Sequence, residues 1–134
     1  MKTGDENGIL RNAWIYCRVA DNEHNIIEAQ RDELIRFANQ HGFNIAGISQ
    51  DIGSGLDYSR KGLSETKQAV RSKNADVVLV KNVSRIGRDT FKNITYMKEI
   101  KALGAEFLSP VNGVIDMALP EQVMSALVNS KGHS

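Results

Sequence analysis

Several absences narrow the field before any motif is considered. The chain has one cysteine, Cys17, so it contains no internal disulfide, and no cysteine or histidine spacing suits a zinc site. Neither a metal nor a cofactor is expected. Net charge is almost lacking: 17 basic residues against 16 acidic leave +1. Any affinity for nucleic acid must therefore come from a local basic cluster, and should be weak and salt-sensitive. The first twelve residues are polar, so a secretory apolar segment is missing, and no apolar run is long enough to span a membrane. These absences predict a cytoplasmic protein. The first strand-to-helix turn carries neither Gly-x-Gly-x-x-Gly nor a P-loop, which argues against a nucleotide-binding α/β protein. The histidines (His24, His41, His133) are scattered and read as solvated helix-end or tail residues rather than ligands.

What is present is ordinary in bulk and unusual in detail. A composition of 41% hydrophobic and 25% charged residues suits a soluble globular domain. A chain of 134 residues suits one domain burying roughly two-thirds of its unfolded surface. We expect a polar, disordered extension over 1–12, a domain over 13–119, and a short helix and tail over 120–134.

The order of elements follows from periodicity. Ala13 to Val19 reads as a first strand, rich in β-branched and aromatic residues. Ile27, Gln30, Leu34, Phe37 and Ala38 recur at helical spacing, with Gly42 closing the helix. Phe43 to Ser49 reads as a second strand, followed by a long loop from Asp51 to Gly62. A second helix carries Leu63, Thr66 and Val70, with Ser64 as a candidate cap. Asp76 to Val80 is apolar on both faces, as a central parallel strand should be. Asp89 can cap a third helix that turns Phe91, Ile94, Met97, Ile100 and Leu103 inward and stops at Gly104. Ala105 to Ser109 completes a mainly parallel, four-stranded, three-layer α/β domain, with a last helical piece over Pro120 to Val128.

In such sheets ligands bind beyond the carboxyl ends of the strands. Arg18 ends the first strand, Arg60 lies in the loop after the second, and Arg85 and Arg88 follow the third. One edge therefore collects four of the chain's eight arginines from three separate segments. Guanidinium groups are planar, always charged and suited to bidentate contact with phosphate. That edge is built for an oxyanion.

At this point the residues resemble a known family. Tyr16-Cys17-Arg18-Val19, Gln30, Asp51 with Gly53-Ser54-Gly55, Arg60-Lys61-Gly62-Leu63 and Ser84-Arg85-Ile86-Gly87-Arg88 are similar, in order, to the serine recombinases of the resolvase and invertase group. The likeness runs from about Trp14 to Ser109. It implies a site-specific DNA recombinase catalytic domain, cleaving and rejoining DNA through a phosphoserine intermediate without metal. Carried over, Arg18, Arg60, Arg85 and Arg88 would grip the scissile phosphate, with Asp51, Ser54 and Gln30 orienting and supporting them. The implied partners are DNA and further recombinase copies, as a homo- or hetero-oligomer.

Two departures qualify this. The position of the nucleophilic serine is Ala20, and a methyl group cannot attack phosphorus. Strand alternation turns residues 16, 18 and 20 one way and Cys17 the other, so Cys17 reads as a buried core thiol. Asp21 would be repelled by phosphate. The family's long dimerisation helix and DNA-binding domain are also expected beyond the point where this chain stops. The implied reaction is therefore expected to be blocked, and the rival reading is a non-enzymatic regulatory module pairing with an active recombinase.

Bland readings stand beside these roles. Arg85 and Arg88 could cap a helix or pair with acidic neighbours, Gly53-Ser54-Gly55 could be a plain turn, and Ser54 a backbone-bonding hydroxyl. Gln30 lies on an apolar stripe and needs a partner, in backbone or site. Asp51 could serve only to fix its loop. Tyr16 reads as packing, and Lys61 and Lys81 as solvated.

Overall fold

The structure is a computed structural model that describes residues 11–115. Residues 1–10 of the expected extension over 1–12, and the helical piece over 120–128, lie outside the described residues, and Asn12 already belongs to the first strand. Strand β1 (Asn12–Val19) leads through a short 3-10 turn (Asp21–Ile26) into α1 (Ile27–Gln40), then β2 (Asn44–Ile52), α2 (Lys61–Arg71) and β3 (Val77–Leu79). A second 3-10 turn (Val83–Arg85) precedes α3 (Thr90–Ala102), followed by β4 (Glu106–Ser109) and β5 (Gly113–Ile115).

The sheet order is β2-β1-β3-β4-β5, with the first four strands parallel and β5 antiparallel to β4. The expected four-stranded sheet thus gains a fifth strand. At three residues, with Gly113 and Val114 exposed, β5 is too short to show a period of two. It is made by the chain doubling back after Pro110, where Ser109 Oγ accepts the Val111 and Asn112 N–H groups and Gly113 takes a positive φ of 69°.

Side-chain alternation splits the core in two. Ala13, Ile15, Cys17 and Val19 of β1 join Val77 and Leu79 of β3 against Ile27, Leu34 and Ala38 of α1. Tyr16, Val78 and Val80 face the other way, against Leu63 and Val70 of α2 and Tyr96, Met97 and Ile100 of α3. The two helical layers and the sheet are the three layers expected. On α3 the inner stripe is Asn93, Tyr96, Met97 and Ile100, while Phe91 and Ile94 are only half-buried. Two polar-tipped residues take inner positions because their polar atoms find partners there, Asn93 with Tyr58 and the Gly87 carbonyl, and Tyr96 with the Leu63 carbonyl of α2.

The helix ends show what sequence reads well and what it does not. Asp89 caps α3 by accepting the Lys92 N–H at 3.0 Å, and Gly42, at φ 74°, ends α1. His41 is no solvated bystander: its ring stacks on Phe37 at 4.0 Å and its Nδ1 lies 2.9 Å from the Phe37 carbonyl. Helix α2 begins three residues before Ser64, which is exposed on its surface and caps nothing. The cap comes from a neighbouring strand instead, with Asp51 Oδ1 accepting the Gly62 N–H at 2.8 Å. A carboxylate there satisfies an orphan donor and meets the positive end of the helix dipole.

Cys17 is fully buried, and burial pushes its thiol up to about 12, against the pull of Arg31 and Arg85. The thiolate is the reactive form. A thiol reagent at pH 8 is therefore expected to label nothing in the folded protein and one sulfur per chain after urea unfolding. Rapid labelling without denaturant would contradict the burial.

Candidate phosphate site

The parallel strands all end at one edge, and β1 and β3 lie side by side while their connections run to opposite faces. This is the crevice where open α/β sheets hold ligands. Arg18, last but one in β1, pairs in register with Asp51 of β2, so a guanidinium and a carboxylate leave adjacent strands at the same height. Strand β2 runs on to Ile52, three residues beyond its expected end, and carries Asp51 on the sheet rather than in the loop.

Arg18 is buried, 6% exposed, and its guanidinium donates to three backbone carbonyls: Gly53 at 2.9 Å, Ser84 at 3.0 Å and Arg85 at 3.1 Å. Arg60 is as buried, 7% exposed, and donates to the carbonyls of Asp57 and Ile86 and to the Tyr16 hydroxyl. Tyr16 in turn donates to Asp51 Oδ2 at 2.8 Å. A chain thus runs from the α2 N-terminus through Asp51 and Tyr16 to Arg60, all in the interior. Burial holds the Tyr16 proton on far above the ordinary phenol range, against the pull of Arg60. Tyr16 is therefore part of the polar scaffold and not merely packing. Its position on the strand face shared with Arg18 was the available sign.

The other two arginines are placed differently. Arg85 is half-buried; its Nη1 donates to the Arg18 carbonyl at 3.2 Å and lies 3.9 Å from Glu23. Its Nε is buried with no acceptor among the described residues. Arg88 is exposed, its N–H bonded to the Gly55 carbonyl at 2.9 Å and its side-chain stem passing directly over Gly55. A Cβ at Gly55 would overlap that stem and come within 3.3 Å of Arg18 Nη2, so this glycine is required by close approach. Burial and then the positive charges of Arg60, Arg85 and Arg88 lower the pKa of Arg18, which only groups gathered around one point can do.

The supporting residues divide. Gln30 reaches from α1 to clamp Arg18's backbone, accepting its N–H at 3.2 Å and donating to its carbonyl at 3.4 Å. Ser54 is exposed, and its hydroxyl accepts the Leu56 N–H at 3.0 Å, the local turn geometry of its bland reading. Ala20 follows β1 and opens the first 3-10 turn, its N–H donating to Glu23 Oε1 at 3.1 Å. Lys61 is exposed, whereas Lys81 pairs with Glu33 at 2.9 Å rather than standing free.

Two residues that sequence reasoning passed over complete the site's frame. Tyr58 and Asn93 tie the 53–60 loop to the start of α3. A groove of about 720 Å³ between α2 and α3 is lined by Tyr58, Leu63, Lys67, Phe91 and Tyr96 among others, and by none of these four arginines. The concavity and the arginines are thus neighbours, not one site.

The fold has counterparts. Residues 13–130 match the family model described as the resolvase N-terminal domain. The chain belongs to the resolvase N-terminal domain family. Among curated relatives, the Transposon Tn3 resolvase of Escherichia coli is 34% identical over 89 residues, which is 66% of this chain and 44% of that protein. The R46 site-specific recombinase of Escherichia coli is equally similar, at 34% over 89 residues and 43% of its length. This resolvase-family chain therefore spans less than half the length of the curated relatives it matches. Among solved structures, the N-terminal catalytic domain of TP901-1 integrase superposes with a TM-score of 0.75 at 22% identity, covering 92% of this chain and 98% of that one. The C-terminal catalytic domain of ISC1926 TnpA, an IS607-like serine recombinase, gives 0.68 at 28%, covering 89% and 77%.

Proposed function

We propose that this resolvase-family domain binds the phosphate backbone of DNA through the arginine cluster, and that with Ala20 in the nucleophile's place it holds the phosphate without cleaving it. The observation that carries the reading is the buried Arg85 Nε, a donor without an acceptor among the described residues, on one of three arginines whose charges bear on Arg18. Burying such a donor unpaired costs about 1–3 kcal/mol, and an anion's oxygen removes that cost. Like charges crowded together repel, and a phosphate between them offsets the repulsion.

The arginines have divided duties in this reading. Arg18 and Arg60 spend three donors each on the protein and act as a fixed inner frame. Arg85 and Arg88 are the ones with donors to give. Gln30 and Asp51 hold the frame from behind, and Ser54 shapes the loop. Homo- or hetero-oligomeric partnership with other recombinase chains belongs to the same proposal.

Arg85→Ala is expected to weaken binding of a DNA duplex by about 1.5–3 kcal/mol, the range for hydrogen bonds to charged groups, and to reduce the salt slope by about one. Titration of fluorescent duplex at several salt concentrations, with inorganic phosphate as competitor, measures both. Unchanged titrations would remove the site assignment.

A further inference from the structure

Tyr58 stands between the loop that carries Arg60 and the turn that carries Arg85 and Arg88. It lies in the loop that ends at Arg60, yet its hydroxyl reaches the start of α3. That hydroxyl lies 2.6 Å from Asn93 Oδ1 and accepts the Asp89 N–H at 3.0 Å, with the Asp89 carbonyl at 3.1 Å. A phenol donates once, and the shorter partner, Asn93 Oδ1, is the better acceptor. Asn93 cannot turn away, because its Nδ2 donates to the Gly87 carbonyl at 2.9 Å. The ring lies flush on Gly87, where a Cβ would overlap the hydroxyl, while Gly87 has no positive φ to require glycine. The same ring lies 5.8 Å from the Arg60 guanidinium and 5.6 Å from Lys92 Nζ.

We propose that Tyr58 is a latch: its hydroxyl fastens the 53–60 loop to the 84–89 turn and so fixes the spacing between the inner frame, Arg18 and Arg60, and the binding pair, Arg85 and Arg88. Tyr58 is a positioning residue and touches no phosphate. Arg18 and Arg60 already hold the Ser84, Arg85 and Ile86 carbonyls, so what the latch holds is the 87–89 end of the turn, where the other tie is Arg88 N–H to the Gly55 carbonyl. With the hydroxyl gone, the Asp89 N–H and Asn93 Oδ1 lose their partner together. The 87–89 end of the turn can then shift relative to the frame, and Arg88 moves with it. This proposal rests on the phosphate reading of the pocket for its purpose, and on the hydrogen bonds alone for its mechanics.

The test compares the full chain with Tyr58→Phe, which keeps the ring against Gly87 and Arg60 and removes only the oxygen. Ile100→Val, in the core of α3 and away from both loops, serves as the control for stability loss. At a temperature where all variants are fully folded, Tyr58→Phe is expected to bind a DNA duplex roughly fivefold to tenfold more weakly, with the salt slope unchanged because no charge is lost. Ile100→Val, though less stable, should bind as the parent does. Amide hydrogen exchange gives the second readout: the Asp89 and Arg88 amides should exchange at least tenfold faster in Tyr58→Phe and at the parental rate, relative to global stability, in Ile100→Val. Parental binding by Tyr58→Phe while Arg85→Ala weakens it would overturn the latch and leave the phosphate site standing. If Arg85→Ala has no effect, the phosphate reading fails, and exchange still decides the latch, which is overturned if both amides stay protected.

Discussion

Incubated with a nicked DNA duplex that traps cleavage products, the protein is expected to leave no covalent adduct, a loss of about a millionfold against a chain with its nucleophile, the size found when a serine protease loses its own. The reason is specific to this pocket. Ala20 offers a methyl group, and every hydroxyl or thiol near enough to be considered is otherwise committed. Tyr16 is buried between Asp51 and Arg60 with its proton held far above the usual phenol range. Cys17 faces the opposite core, its thiol pushed up to about 12 by burial. Ser54 is tied into its own turn, and Ser84 donates to Asn82. Cys17, Ser54 and Ser84 have no base poised to take their protons, which a weak nucleophile requires, and Tyr16, though bonded to Asp51, is buried with its proton held on. Denaturing electrophoresis of labelled DNA after incubation is the measurement, and a protein-linked band with the unaltered chain would overturn the argument.

Asp51→Asn is expected to cost about 3 kcal/mol of folding stability, the lower end for breaking a buried ionic network by removing one charge. It replaces one oxygen and one charge in the interior. Asp51 now accepts from Gly62 N–H and from Tyr16, and is the only buried carboxylate among the described residues, linked to the Arg60 guanidinium through the Tyr16 hydroxyl. An asparagine can keep its oxygen on Gly62 only by turning its amide N–H₂ toward Tyr16. The Tyr16 hydroxyl would then face two donors, the amide and Arg60, and have nowhere to send its own proton. A fall of roughly 10 °C in melting temperature follows for a domain of this size. Urea and thermal unfolding measure it. A loss under 1 kcal/mol would mean that the network carries little of the fold.

How much of this was legible in the residues depends on whether the signal was local. The parallel strands and three helices follow from periodicity and caps, as with Asp89 and Gly42, because those depend on neighbours in sequence. Strand β5 was not legible, being three residues held by a turn rather than by its own pattern. The α2 cap was misplaced onto Ser64 because the true one, Asp51, arrives from another element eleven residues away. The meeting of Arg18, Arg60, Arg85 and Arg88 was legible from topology, since parallel strands deliver their ends to one edge. Which of them would be frame and which free was not. That division is decided by carbonyl directions in the 53–57 and 84–87 segments, and sequence carries no trace of those. Tyr58 escaped notice for the same reason: its hydroxyl bonds to the cap and first turn of a helix that starts thirty-two residues later.

The turn after β3 has one more effect. Peptide oxygens are electron-rich and would ordinarily fend off a phosphate coming close to a bare loop. From Ser84 to Gly87 each oxygen is already engaged, two by Arg18, one by Arg60 and one by Asn93. The lone pairs are quenched before any ligand arrives. Arg18 and Arg60 thus contribute twice to the local potential, once by their own charge and again by silencing the backbone that would oppose it.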